Sequence, residues 1–295
     1  MVAVVEVVPR DPNLGLDPLP DIDFNIRCGN TLVGYATAKD LENDLQFGDM
    51  FAKQEFEDKV HLEMDKVAYA YERFKQFQLQ QSENLNTYKE SKAELKSRLK
   101  GLNALLNDKL YKSTVSEGSL KYEDWLKSHQ PFHWLAEYYD IINGNGGFDV
   151  IIGNPPYVEY KKVMSIYKLS SSLYKTLDCG NLHAFVAERT FVISATNGNI
   201  GLIVPLPSIN TTRMASLQNI IKNPSNNSVW ISCFDERPSG LFEGVDQRLI
   251  VEIISRNTQS GLHSTKINRW LSENRNLLFK GIKYTKHSRE IIAVH

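Results

Sequence analysis

The chain has 295 residues, 42% hydrophobic and 23% charged, with 34 Lys plus Arg against 35 Asp plus Glu. That balance excludes a disordered or collagen-like chain, and a net charge of -1 singles out no polyanionic partner by itself. Cys28, Cys179 and Cys233 are too scattered for a disulfide framework or a zinc cluster, so no metal site and a reducing cytoplasm are expected; no apolar run approaches the ~20 residues that span a bilayer, so no membrane association is expected.

In chain order, the opening "MVAVVEVV" reads as a short strand. Turn-rich sequence continues to about residue 45, and Phe24 to Cys28 reads as a further short strand closed by a turn at Gly29 and Asn30. Between Gly48 and Gly101 there is no glycine, and between Pro20 and Pro131 no proline. Within that span Val60, Met64, Val67, Tyr71 and Phe74, then Leu95, Leu99, Leu102 and Leu106, recur at three-to-four spacing. The spacing predicts two amphipathic helices folded into an antiparallel hairpin, with the polar "QLQQSENLN" at residues 78 to 86 as its bend. Lys89, Lys92, Lys96 and Lys100 share a face of the second helix; a solvated face is the plain reading and phosphate contact the alternative.

Beyond Pro131 the pattern alternates. "FDVIIG" is an apolar strand, "GNLHAFVAERTFVISA" a helix, "NIGLIVPL" a strand ended by Pro205 and Pro207, and "TTRMASLQNII" a helix. "SVWISCF" and "RLIVEII" follow with too short a link for a crossover helix, so they are expected to form an antiparallel hairpin. Strands alternating with helices predict an α/β fold: part of a Rossmann-like sheet with a C-terminal antiparallel hairpin and an inserted helical hairpin. The expected divisions are residues 1–45, a helical insertion at 46–130, a catalytic part at 131–258 and the start of a linker or recognition region at 259–295.

The strand "FDVIIG" runs into "NPPY", residues 154 to 157. Ligands of open α/β sheets bind outside the carboxyl ends of strands, where Asn154 stands. Its amide supplies an acceptor and a donor, while Pro155 and Pro156 stiffen the backbone and leave carbonyls free of neighbouring N–H competition. Asn154 and the Pro155 carbonyl can therefore accept hydrogen bonds from one planar amino group, and Tyr157 adds an aromatic face suited to stacking. A plain rigid turn is the alternative reading of the tetrapeptide. Asp149 reads as a strand-start residue.

"FDVIIGNPPY" resembles motif IV of S-adenosylmethionine-dependent amino-methyltransferases. Together with "PLPDIDFNIRCGNTLVGYA", "GNLHAFVAER", "GNIGLIVPL" and "FDERPSGLFEGVDQRLIVEII", it is similar to the gamma-class N6-adenine DNA methyltransferase core of type IIG restriction-modification enzymes, over roughly residues 15 to 255. The resemblance implies S-adenosylmethionine as cofactor, double-stranded DNA as partner and a flipped adenine as acceptor, with Asn154 and Pro155 holding its amine and Tyr157 and Phe242 stacking on its ring. It further implies Asn30 and Phe185 as cofactor-binding residues. Asn30 as a turn residue, Phe185 as core and Phe242 as a hairpin plug are the plain structural readings of the same positions.

One part of that pattern is not found. The glycine cluster "NGNGG", Asn143 to Gly147, precedes a strand instead of following one, so it reads as a turn and not as a donor-binding loop. The expectation is an incomplete S-adenosylmethionine pocket in a truncated or split form of a larger enzyme, with a separate chain carrying the donor-binding motif. A DNA-contacting remnant without catalysis, or transfer to RNA or protein, are the alternatives.

Overall fold

The glycine-free span forms two helices of 30 residues each, α2 (Met50–Leu79) and α3 (Leu85–Thr114). The computed structural model describes residues 23–45, 50–79, 85–116, 118–222, 227–242, 244–256 and 259–287; the expected opening strand and the middle of the expected helical bend lie outside these. The helices are antiparallel: Phe74 meets Tyr88 with ring centroids 5.8 Å apart, and further down α2 Glu63 lies beside Gly101 of α3. Val60, Met64, Val67 and Phe74 bury against Leu95, Leu99, Leu102 and Leu106, the seam that the spacing predicts. On the outer face Lys92 and Lys96 both pair with Asp23, at 2.8 and 2.7 Å.

Residues 24 to 28 are a turn and bend, not the expected strand. Among the described residues no strand lies alongside them to complete a ladder. Side chains and isolated carbonyls anchor the segment instead: Phe24 meets Phe74 edge-on at 4.8 Å, Arg27 pairs with Glu137 at 3.2 Å, and the Tyr138 hydroxyl donates to the Asn25 carbonyl. The chain then enters α1 (Ala38–Asp44), capped by Thr37, whose Oγ1 accepts from the Asp40 N–H. Short helices α4 (Tyr122–His129) and α5 (Trp134–Glu137) close the base of the hairpin.

The strands β1 (Phe148–Gly153), β2 (Ser194–Pro205), β3 (Ser228–Phe234), β4 (Leu249–Ser255), β5 (Gly261–Asn268) and β6 (Thr285–His287) make one mixed sheet in the order β1-β2-β4-β3-β5-β6. β1 and β2 are parallel and joined through α6 (Leu182–Ile193). α7 (Pro207–Asn210) and α8 (Ala215–Lys222) lead from β2 to β3. β3 and β4 form the expected antiparallel hairpin, and Pro205 ends β2. β5 then pairs parallel with β3, an extension that the sequence pattern does not announce.

The α/β expectation therefore stands. β1, β2, β3 and β5 point the same way and their carboxyl ends share one edge of the sheet. One face is sealed: Ile200, Leu202, Val204, Val229, Ile231, Ile250 and Ile254 pack in one cluster with Phe185, Leu217 and Ile221 of the helices. The other face is covered at its far end by Tyr284 against Trp230 and lies bare toward β1.

Candidate functional site

β1 delivers Asn154 to the carboxyl edge. The Asn154 side chain is exposed while Pro155 is buried, so the turn is anchored by its first proline and presents its amide outward. The Tyr157 hydroxyl donates to Asn154 Oδ1 at 2.6 Å and lies 3.0 Å from the Ile203 carbonyl of β2, one proton facing two acceptors. Burial raises the Tyr157 pKa further, so that proton stays in place. The Tyr157 ring packs on a cluster of Phe234, Leu241, Leu249 and Trp270, and Phe242 packs on the same cluster. The structure thus brings Asn154, Pro155, Tyr157 and Phe242 to one edge.

The chain beyond the turn is zipped onto the start of α6: Leu182 N–H donates to the Val158 carbonyl at 2.9 Å and Tyr160 N–H to the Gly180 carbonyl at 3.0 Å. This places His183 against Tyr157, with ring centroids 6.4 Å apart at 82°. His183 Nδ1 is 2.6 Å from Asn181 Oδ1, an atom without a proton, so Nδ1 carries the hydrogen and Nε2 accepts from Ser208 Oγ at 3.1 Å. Burial lowers its pKa to about 4. A neutral imidazole with both nitrogens committed is a prop for the Tyr157 ring and not a base. His183 stands in the quoted "GNLHAF", but nothing in sequence spacing reveals its contact with Tyr157.

A second missed group lies at the end of β3. Asp235 accepts from Arg248 Nε at 3.0 Å and from Arg269 Nε at 2.6 Å, and the two guanidinium groups hold its pKa down at about 2. Both arginines remain largely exposed on the carboxyl edge. Of the three, only Asp235 lies in the stretch "FDER"; its partners stand 13 and 34 residues further on, so no local spacing signals the group.

Asn30 and Phe185 lie elsewhere. Asn30 Oδ1 accepts from the Leu32 N–H at 3.2 Å and its own N–H donates to the Gln130 carbonyl at 2.7 Å, a turn residue tying two loops. The same strap continues to Gly34 at φ 131°, where a Cβ would come 2.3 Å from the Phe132 carbonyl oxygen, so only glycine fits. Buried Arg189 of α6 locks the strap, reaching Asp40 at 2.7 Å and the Gly34 carbonyl at 3.3 Å. Phe185 is 0% exposed, edge-on to Tyr160 at 5.3 Å and tilted against Tyr174 at 5.9 Å. Neither of its faces is open to a ligand.

Among the described residues, the two positions implied for S-adenosylmethionine are thus not brought together at the edge that carries Asn154. Phe185 is closed off, Asn30 is spent on a turn, and no strand lies beyond β1 to carry a glycine-rich loop. A cleft of about 500 Å³ between α1 and α2, lined by Leu41, Glu42, Val60 and Met64, touches none of these residues. No group of His, Cys, Asp and Glu among the described residues could hold a metal ion, and no described helix is long and apolar enough to cross a membrane.

The chain belongs to the Eco57I restriction-modification methylase family, whose model matches residues 39–242. A putative type II restriction enzyme and methyltransferase of Methanocaldococcus jannaschii is 25% identical over 230 residues, covering 63% of this chain and 18% of that protein. The chain therefore spans about a fifth of that relative's length. Among solved structures, the Type ISP restriction-modification enzyme LlaGI with a DNA substrate mimic is similar at TM-score 0.40 and 13% identity, covering 68% of this chain and 22% of that one. The methyltransferase subunit of a type I restriction-modification system from Streptococcus thermophilus is similar at TM-score 0.35 and 13% identity, covering 49% and 35%.

Proposed function

We propose that this chain is the acceptor side of an S-adenosylmethionine-dependent N6-adenine DNA methyltransferase in a restriction-modification system, acting on an adenine flipped out of double-stranded DNA. The observation that carries the reading is the constellation at the carboxyl edge, where Asn154 Oδ1 is held by the Tyr157 hydroxyl beside an aromatic surface shared with Phe242. An amide oxygen has two lone pairs; with one turned to Tyr157, the other is left to accept from an amine, and the Pro155 carbonyl is the second acceptor of the assignment.

The adenine amine is a weak nucleophile because its lone pair is delocalised into the ring. Acceptors fixed at its two hydrogens favour the pyramidal nitrogen of the transition state over the planar ground state. No side-chain base is needed, in keeping with the neutral, fully bonded His183 beside the site. Extruding the base costs a few kcal/mol, which stacking on Tyr157 and Phe242 offsets. Arg248 and Arg269, whose Nε atoms are fixed by Asp235, offer their terminal nitrogens to backbone phosphates from the same edge. S-adenosylmethionine would supply the methyl group; the residues described here hold the acceptor and not the donor.

The test is Asn154→Ala in the assembly that transfers methyl groups from labelled donor to duplex DNA, with the product nucleoside identified after digestion. The expected outcome is a loss of at least ~100-fold in turnover, typical of removing a fixed polar group from a transition state, with duplex affinity changed less than about twofold. Unchanged turnover, or label recovered on cytosine, RNA or protein in place of adenine, overturns the reading.

A further inference from the structure

Beside Tyr157 a chain of polar groups runs into the interior. His183 is 2% and Ser208 1% exposed, and their neighbours in sequence belong to the sealed cluster: Leu182, Ala184 and Phe185 around the first, Leu206 and Ile209 around the second. Packing alone asks for nothing polar at either position, because a buried polar pair loses its water and recovers that loss only through its own hydrogen bonds. What such a pair adds over an apolar one is a fixed direction. Here the direction is set by Asn181 Oδ1 and Ser208 Oγ, at 2.6 and 3.1 Å from the two ring nitrogens of His183.

Both ends of this relay are tied to the supports of the acceptor turn. Asn181 caps α6 and bridges to Glu159, two residues beyond Tyr157, and next to it the Leu182 N–H holds the Val158 carbonyl. Ser208 lies in α7, three residues past the end of β2, where Gln218 Nε2 donates to its carbonyl at 3.4 Å. β2 itself supplies the Ile203 carbonyl that faces the Tyr157 hydroxyl. Tyr157 is therefore held at two points, its hydroxyl by Ile203 and its ring by His183, edge-on at 82°. The two holds differ in what they restrain. The hydroxyl oxygen lies on the axis about which a tyrosine ring turns, so a bond there leaves the plane of the ring free, and that final torsion has only a broad preference of its own. An edge-on neighbour stops the turn.

We propose that His183, held by Asn181 and Ser208, is a positioning residue for methyl transfer: it fixes the plane of the Tyr157 ring, and with it the plane in which the extruded base stacks. This rests on the acceptor reading above and adds to it a group that acts through Tyr157. The relay governs the rate of transfer and not affinity for the duplex, because the plane of the ring matters only to a base already extruded, whose amine must meet the methyl group in line.

The test compares the parent with Ser208→Ala and with the paired variant His183→Leu/Ser208→Ala in the methyl-transferring assembly. The paired variant takes out both polar partners together and keeps the volume close, so its melting midpoint is expected within about 3 °C of the parent. Its turnover nevertheless falls about 10-fold, while KM for the duplex changes less than about twofold. Ser208→Ala alone lowers turnover about fivefold, as the loss of one hydrogen bond. A 2-aminopurine placed at the methylated adenine reports the ring itself: its emission in the complex rises in the paired variant toward the level of Tyr157→Ala, because an extruded base that is not held flat on an aromatic ring is less quenched. Turnover within about twofold of the parent in the paired variant, a raised KM with kcat kept, or emission equal to the parent's overturns the proposal. Should the paired variant fail to fold, undiminished turnover in Ser208→Ala overturns it as well. Label on an amine other than adenine in the parent sinks the acceptor reading, and the ratio of variant to parent rates on that amine then decides the positioning; adenine methylation that the paired variant carries out at the parent's rate does the reverse.

Discussion

Strands β1 and β4 belong to one sheet and read alike as sequences, "FDVIIG" against "LIVEIIS", yet their surroundings are opposite. β4 has a partner on each side, and even its carboxylic residue, Glu252, is 2% exposed; β1 has one partner among the described residues and leaves an isoleucine 83% exposed. A carboxyl group inside and an isoleucine outside show that exposure here follows the neighbours and not the polarity of the side chain. Apolar composition states the burial a strand requires, and the difference between β1 and β4 lies in how many described strands flank each of them.

The sharpest way to break that comparison is to truncate both strands. Ile254→Ala in β4 removes a side chain packed in the sealed cluster and is expected to cost about 2–4 kcal/mol in urea unfolding, whereas Ile152→Ala in β1 costs less than about 0.5 kcal/mol in the isolated chain. Equal losses would mean that β1 is covered in solution. The next effect comes from Glu252, whose Oε1 has no hydrogen-bond partner among the described residues and whose pKa burial raises to about 7. Because the folded state binds this proton more tightly than the unfolded chain, its contribution is complete below pH 4.5 and is lost as pH rises through about 7. The stability of the parent relative to Glu252→Gln is therefore expected to fall by about 3 kcal/mol across that window, measured by denaturation at matched pH; His133 and His183 cancel, being present in both. A flat difference would show that the carboxyl group finds a partner or water. The smallest effect tests the site: Tyr157→Phe keeps the ring but releases Asn154, and turnover on duplex DNA is expected to fall about fivefold, matching a hydrogen bond of about 1 kcal/mol, with KM unchanged. An unchanged rate would remove the hydroxyl from the mechanism.

Much of the sheet was legible because its strands announce themselves. "FDVIIG" and "SVWISCF" coincide with β1 and β3 to the residue, and the short link predicted the antiparallel β3–β4 pair. β5 escaped notice because "GLHSTKIN" mixes polar residues into both faces of a strand near the sheet's edge. The expected strand at Phe24 to Cys28 failed for the converse reason: with no strand beside them among the described residues, strand-like residues form no ladder. At the site, "NPPY" at the end of an apolar run located the carboxyl edge correctly, since proline and strand termini constrain the backbone locally. Phe185 shows the limit. α6 is buried nearly all round, with nine of its twelve residues enclosed, polar ones among them, so no periodicity could tell a pocket wall from core. The bonds from Tyr157 to Asn154 and Ile203 join residues 3 and 46 positions apart, and only the folded register of β1 on β2 creates the longer one.

That longer bond has a consequence for where the turn at Asn154 can be disturbed. The Tyr157 hydroxyl is gripped by β1 and β2 together, and the ring beneath it by β3, β4 and the loop bearing Phe242, all within this chain. The turn and its aromatic support are thus held by one edge of one sheet, and a substitution that leaves the register of these strands intact leaves the geometry around Asn154 as it was.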